Sequence, residues 1–156
     1  MSRDKIKKVL QKMCIDIFGK QAIVEWNIDQ MAADIETMAQ QYKVEAKLCL
    51  AQGILESHFC VNPAASRSRK TKNIFNVGNV DDGGNRFFSS YRAGMDVYFR
   101  LMAREYCYRN EGDTVTVAMM IRHDFIRPRG GRYATAASYT KDVAVIVARI
   151  DKLTKQ

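Results

Sequence analysis

The sequence predicts a single, mainly α-helical (α+β) domain over residues 1–156, with a small polar lobe of loops or a β-hairpin set into it. Three observations carry that expectation. A chain of 156 residues with 47% hydrophobic and 27% charged residues can close one core and is too apolar to stay disordered. Apolar residues recur at helical spacing along most of its length. Two segments break that spacing with Asn, Ser, Gly, Arg and Pro.

The first helix is expected over residues 4–18, where Ile6, Val9, Leu10, Met13 and Ile17 share a face and Gly19 supplies a stop. Residues 1–25 form an extra N-terminal element that either packs as a helix or binds a partner. Asn27 can cap a second helix bearing Ile28, Met31, Ala32, Ile35, Met38 and Ala39. A third helix is predicted over 45–59, with Leu48, Leu55 and Phe59 along one stripe, and others over 93–108, 114–122 and 136–153. Between them, residues 60–90 hold the turn sequences Asn76-Val77-Gly78-Asn79 and Asp81-Asp82-Gly83-Gly84, with Arg86-Phe87-Phe88 read as a short strand. A second loop, 126–133, contains Pro128, Gly130 and Gly131. Loops on a rigid helical body are where sites usually form.

Composition narrows the partners. A net charge of +8 suits a polyanion: nucleic acid, acidic membrane or anionic cell wall. No stretch reaches the roughly 18 apolar residues that cross a bilayer, so no membrane insertion is expected. The N-terminal residues are too evenly charged for a secretory signal, which needs an unbroken apolar run of about 7–15 residues. Synthesis in the cytoplasm without a signal peptide is therefore the expectation. Cys14, Cys49, Cys60 and Cys107 are sparse and irregular, without a CxxC pair, and read as reduced, mostly buried thiols. His58 and Cys60 have no second ligand pair at finger spacing, so neither a metal nor a cofactor is expected.

Glu56 is the residue that points to chemistry. It closes the apolar run LCLAQGILES, where a solvated charge is least expected. Burial among apolar neighbours and the negative end of the helix dipole both raise a carboxyl pKa, favouring the protonated state that a general acid needs. Gln52 lies one turn earlier on the same face. Gly53 either leaves space beside the acid or serves helix packing.

The run QQYKVEAKLCLAQGILESHF resembles the helix pair that precedes the catalytic glutamate in bacterial and phage glucosaminidase domains of the lysozyme-like superfamily. Asn62-Pro63-Ala64-Ala65-Ser66 is similar to the segment after the Glu-Ser pair of lytic transglycosylases. KNIFNVGN resembles the glucosaminidase "NLFGI" stretch, SSYRAGMDVYFRLM its tyrosine-containing strand end and next helix, and GRYATAASYTKDVAVIVARI its closing "YATDPxY" motif and terminal helix. These ordered stretches span about residues 28–150. Ala136 and Ala137 stand where the closing motif carries Asp-Pro, and the Gly-Leu-Met-Gln segment of many lytic transglycosylases is missing.

The resemblance implies a lysozyme-like helical domain that cuts β-1,4 bonds between N-acetylmuramic acid and N-acetylglucosamine in peptidoglycan. Glu56 would protonate the glycosidic oxygen. A hydrolase with two carboxylates needs them about 5–5.5 Å apart for retention or about 6.5–9.5 Å for inversion. Asp81 and Asp82 are the candidates for the second, or else plain Asp-Gly turn formers; Asp96 is a weaker option. A lytic transglycosylase would use one glutamate and leave a 1,6-anhydromuramyl end. Tyr133 and Tyr139 match the tyrosines of the closing motif. Tyr133 is expected to stack on a sugar or hydrogen-bond near Glu56, and Tyr139 to contact substrate or serve as a core aromatic. Ser57 would orient the acid or act as a helix-end hydroxyl. Phe75, Asn76 and Asn79 would line the saccharide groove, the asparagines having turn formation as their alternative. The basic groups Arg67, Arg69, Lys70, Lys72 and Arg122, Arg127, Arg129, Arg132 would rim the cleft and attract wall carboxylates. The expected partner is therefore the peptidoglycan glycan strand, met at the cell wall by a monomer, whether from a virion or after release at lysis. The rival reading is a non-catalytic basic module that binds nucleic acid or scaffolds a virion, but no nucleic-acid motif is present and base-stacking aromatics among the arginines are few.

Overall fold

Capping side chains fix the starts of several helices in the computed structural model, which describes residues 1–19, 27–78, 84 and 86–155. The chain opens with α1 (Arg3–Leu10), continues through a π turn (Gln11–Ile15) into the short α2 (Asp16–Phe18), and stops at Gly19 with φ 79°. The Asn27 carboxamide oxygen accepts the N–H groups of Asp29 and Gln30 at 2.9 and 3.2 Å and starts α3 (Ile28–Tyr42). Then come α4 (Ala46–Ser57) and α5 (Ser66–Thr71). Ser90 caps α6 (Tyr91–Glu105) through the Ala93 N–H. Thr116 caps α7 (Val117–Arg122), and the Glu45 carboxylate accepts the Val117 N–H at 2.8 Å. The last helix is α8 (Tyr139–Thr154).

Several expected boundaries move, each for a local reason. The third helix ends at Ser57 rather than 59, because His58, Phe59 and Cys60 all turn left-handed. The last helix starts at Tyr139 rather than 136. The polar segment 60–90 contains the helical turn α5, and Arg86-Phe87-Phe88 forms no strand: the Phe88 N–H bonds instead to the Thr71 carbonyl at the end of α5. Among the described residues β pairing is confined to single bridges, Val44 with Val115 and Ile126 with Arg132. Most of the expected hairpin turn, including Asn79, Asp81 and Asp82, lies outside the described residues.

Packing places α4 at the centre. The sequence suggests a one-sided stripe, but Leu48, Cys49, Leu50, Ala51, Gln52 and Gly53 are all buried, so the helix is enclosed on every side. α8, α1 and α3 pack around it, and α6 packs against α3. Two side-chain pairs tie α3 to α6: Asp34 with Arg92, and the Tyr42 hydroxyl donating to Asp96 at 2.6 Å. The N-terminal helix belongs to the core, since Ile6, Val9 and Leu10 have no exposed surface. Full burial of such side chains stabilises by about 1.5–3 kcal/mol each. Cys14, Cys49 and Cys60 are buried free thiols; burial pushes Cys14 and Cys60 up to about 12, so they stay protonated and unreactive. No helix among the described residues is long and apolar enough to cross a membrane.

Candidate active site

The site begins where α4 stops. Glu56 occupies the last turn, and the next residues take left-handed φ values: His58 at 49°, Phe59 at 54° and Cys60 at 64°. Non-glycine residues resist this region by about 1–2 kcal/mol each. Burial of the Phe59 ring opposes that strain. The ring folds back over Gly53, where a Cβ would stand 2.5 Å from it, and meets Phe75 edge-on at 6.0 Å. Gly53 therefore makes room for Phe59; it does not open space beside the acid.

Buried hydrogen bonds then bring the following segment to Glu56. The Ser57 hydroxyl donates to the Ile74 carbonyl at 2.9 Å and accepts the Cys60 N–H at 3.1 Å. The Asn73 side chain closes the turn by bonding both the N–H and the carbonyl of Val77, each at 3.0 Å. Asn76 sits at the apex with φ 52°, a conformation asparagine tolerates. Its carboxamide oxygen accepts from the Ser68 hydroxyl at 3.1 Å, so its NH₂ faces Glu56 and donates to Oε2 at 3.0 Å.

The Tyr139 hydroxyl, on the first residue of α8, lies close enough to Glu56 to act on its carboxyl as a donor. The donor's direction is set inside the core. The Tyr98 hydroxyl donates to Gln52 Oε1 at 2.7 Å, and Gln52 Nε2 donates to the Tyr139 hydroxyl oxygen at 3.0 Å, leaving the Tyr139 proton for Glu56. Burial raises the Glu56 carboxyl above the ordinary range, while the Asn76 and Tyr139 hydrogen bonds and the Arg67 charge oppose the rise. Tyr139 itself is held far up by burial and by the Glu56 charge, so its hydroxyl keeps its proton.

Glu56 opens into a cleft of about 920 Å³. Tyr106, Tyr133 and Tyr139 wall one side, with ring centroids 6.0 and 5.7 Å apart along the row. Phe75 lies in the floor, stacked at 3.8 Å on Tyr98. Asn76, Arg127, Arg132 and Asp142 complete the polar lining.

Of the residues singled out from sequence, Glu56, Phe75, Asn76, Tyr133 and Tyr139 thus meet in one cleft. Gln52 and Ser57 do not line it: both are buried and act through hydrogen bonds behind it. The Tyr133 hydroxyl donates to the Phe75 carbonyl at 3.1 Å and not to Glu56, and it is the Tyr139 hydroxyl that acts on the acid. Asp96 does not line the cleft; it is held by Tyr42 and Arg100. Asp142 was missed. It lies one helical turn after Tyr139, and that i, i+3 spacing was the available signal. Among the basic residues, Arg127 and Arg132 reach the cleft, while Arg122 pairs with Glu111 and Arg129 borders a neighbouring pocket.

A glutamate whose carboxyl is raised by burial, opening into a cleft at the end of a central helix of a mainly α domain, fits a lysozyme-like glycosidase. The chain belongs to the glucosaminidase family, described as mannosyl-glycoprotein endo-β-N-acetylglucosaminidase, whose family model matches residues 32–152. No curated protein matches the sequence. The family makes the chain a glycoside hydrolase-type enzyme acting on glycans, in general terms a peptidoglycan-cleaving one.

Proposed function

We propose that the enzyme cleaves the β-1,4 bond at C1 of N-acetylglucosamine, next to N-acetylmuramic acid, in the glycan strands of bacterial cell wall, with Glu56 as the general acid. The observation that carries this reading is the environment of Glu56: its carboxyl is raised by burial yet held by Asn76 and Tyr139 at the cleft. A protonated carboxyl so held can give its proton to the glycosidic oxygen as the C1–O bond breaks and an oxocarbenium-like centre develops. Tyr133, the partly exposed member of the tyrosine row, offers an apolar ring face to the sugars. Asp142 is the carboxylate among the described residues that shares the cleft with Glu56 and would steady the positive centre or orient the attacking water; Asp81 and Asp82 remain its competitors. The family's description, which names an N-acetylglucosaminidase, supports this choice of bond.

Mass spectrometry of digested sacculi tests the choice. Fragments with reducing N-acetylglucosamine ends are expected. Reducing muramic acid would make the enzyme a muramidase, and 1,6-anhydromuramyl ends would make it a lytic transglycosylase.

A further inference from the structure

Arg127 is a fixed cation on the cleft wall that has no paired carboxylate among the described residues. Its main chain is held in a tight turn: its N–H bonds the Gly131 carbonyl and its carbonyl accepts the Gly130 N–H, both at 2.9 Å. The Ile126–Arg132 bridge closes the base of that turn. Asp124, just before it, pairs with Arg132 at 3.0 Å and accepts from the Thr140 hydroxyl, tying the loop to the helix that carries Tyr139. The side chain is held as well. Nε donates to the Tyr106 hydroxyl at 3.2 Å, with the guanidinium carbon 5.6 Å from the Tyr106 ring centroid.

That arrangement uses the inner edge of the guanidinium and leaves its two terminal nitrogens, the pair that grips a carboxylate bidentately. Arg132 and Arg122 are already paired, with Asp124 and Glu111. Among the described residues none stands at ion-pair distance from Arg127; Glu105 acts on it only as a more distant charge. A neutral N-acetylglucosamine polymer offers such a group hydroxyl and acetamide oxygens but no charge-assisted, bidentate partner. A wall strand carries carboxylates on its stem peptides and, where these are removed, on the lactyl group of the muramic sugar.

We infer that Arg127 is a specificity residue that binds a carboxylate borne by the muramic unit, so that the enzyme selects acidic, wall-type glycan over uncharged N-acetylglucosamine polymers. The inference rests on the peptidoglycan reading above.

The test compares the wild type, Arg127→Ala and Arg127→Lys on three substrates: native sacculi, sacculi with amidated carboxylates, and amidase-stripped glycan strands. Matched melting temperatures confirm intact folds. On native sacculi Arg127→Ala should lose about 10- to 100-fold in kcat/KM, the range for a hydrogen bond to a charged group, and Arg127→Lys should recover part. Amidation should slow the wild type by a similar factor and leave Arg127→Ala unchanged. A penalty confined to native sacculi assigns the stem-peptide carboxylate; one that persists on stripped strands shows that the freed lactyl carboxylate is bound as well. Wild-type rates in Arg127→Ala, or an equal loss on native and amidated sacculi, would overturn the inference. Failure of the wild type to digest any sacculus would instead reject the peptidoglycan reading.

Discussion

At the scale of single residues, the proposed catalysis turns on the proton of Glu56. Burial favours the neutral acid, whereas Tyr139 and Asn76 donate to the carboxylate and so favour its ionised form. Removing the Tyr139 hydroxyl must therefore raise the Glu56 pKa further. Tyr139→Phe should move the basic limb of the pH–rate profile upward by up to roughly one unit, the worth of one lost hydrogen bond, while kcat falls. An unmoved or lowered limb would remove Tyr139 from the acid's environment. Glu56 was legible in the sequence because a charge closing an apolar helical run needs a reason. Its partners were not. Asn76 arrives from 20 residues away through a turn closed by the Asn73 side chain, and Asn-rich turns look alike whether or not they face a site. The two tyrosines share a motif, and only the carbonyl of Phe75 decides which of them is free to serve Glu56.

At the scale of elements, the decisive object is the junction of α4 with the left-handed run after it. Alanine normally favours a helix interior over glycine by about 1 kcal/mol. At position 53 the sign reverses, since the new methyl would enter a fully buried ring that Phe75 backs. Gly53→Ala should destabilise the protein by about 1–3 kcal/mol in chemical denaturation, and a stabilised variant would refute the packing described. Helices were legible as elements because apolar spacing and Asn27 announced them, but several of their ends were not. Residues 58–60 carry no glycine to mark a left-handed turn, and burial of Phe59 overrides their intrinsic preference. The Arg86-Phe87-Phe88 stretch has strand-like composition, yet its Phe88 N–H is taken by the end of α5.

At the scale of the whole molecule, the central helix is enclosed by elements from both ends of the chain. α1 precedes the residues matched by the family model, yet its apolar face is fully buried. Leu10→Ala should cost about 2–5 kcal/mol, read as a lowered denaturation midpoint; a loss below 1 kcal/mol would mean that α1 is an appendage. The net charge of +8 alone does not choose among polyanions, and the fold spreads it unevenly: Arg122 and Arg132 are paired, while Arg127 faces the cleft. The account as a whole depends on one group, and one comparison tests it most directly. Purified sacculi are digested with the wild type and with Glu56→Gln, whose melting temperature confirms its fold. The wild type should release soluble glycan fragments, and the variant should be slower by at least about 100-fold. Undiminished digestion by Glu56→Gln would contradict the assignment of the acid and, with it, the mechanism built on this cleft.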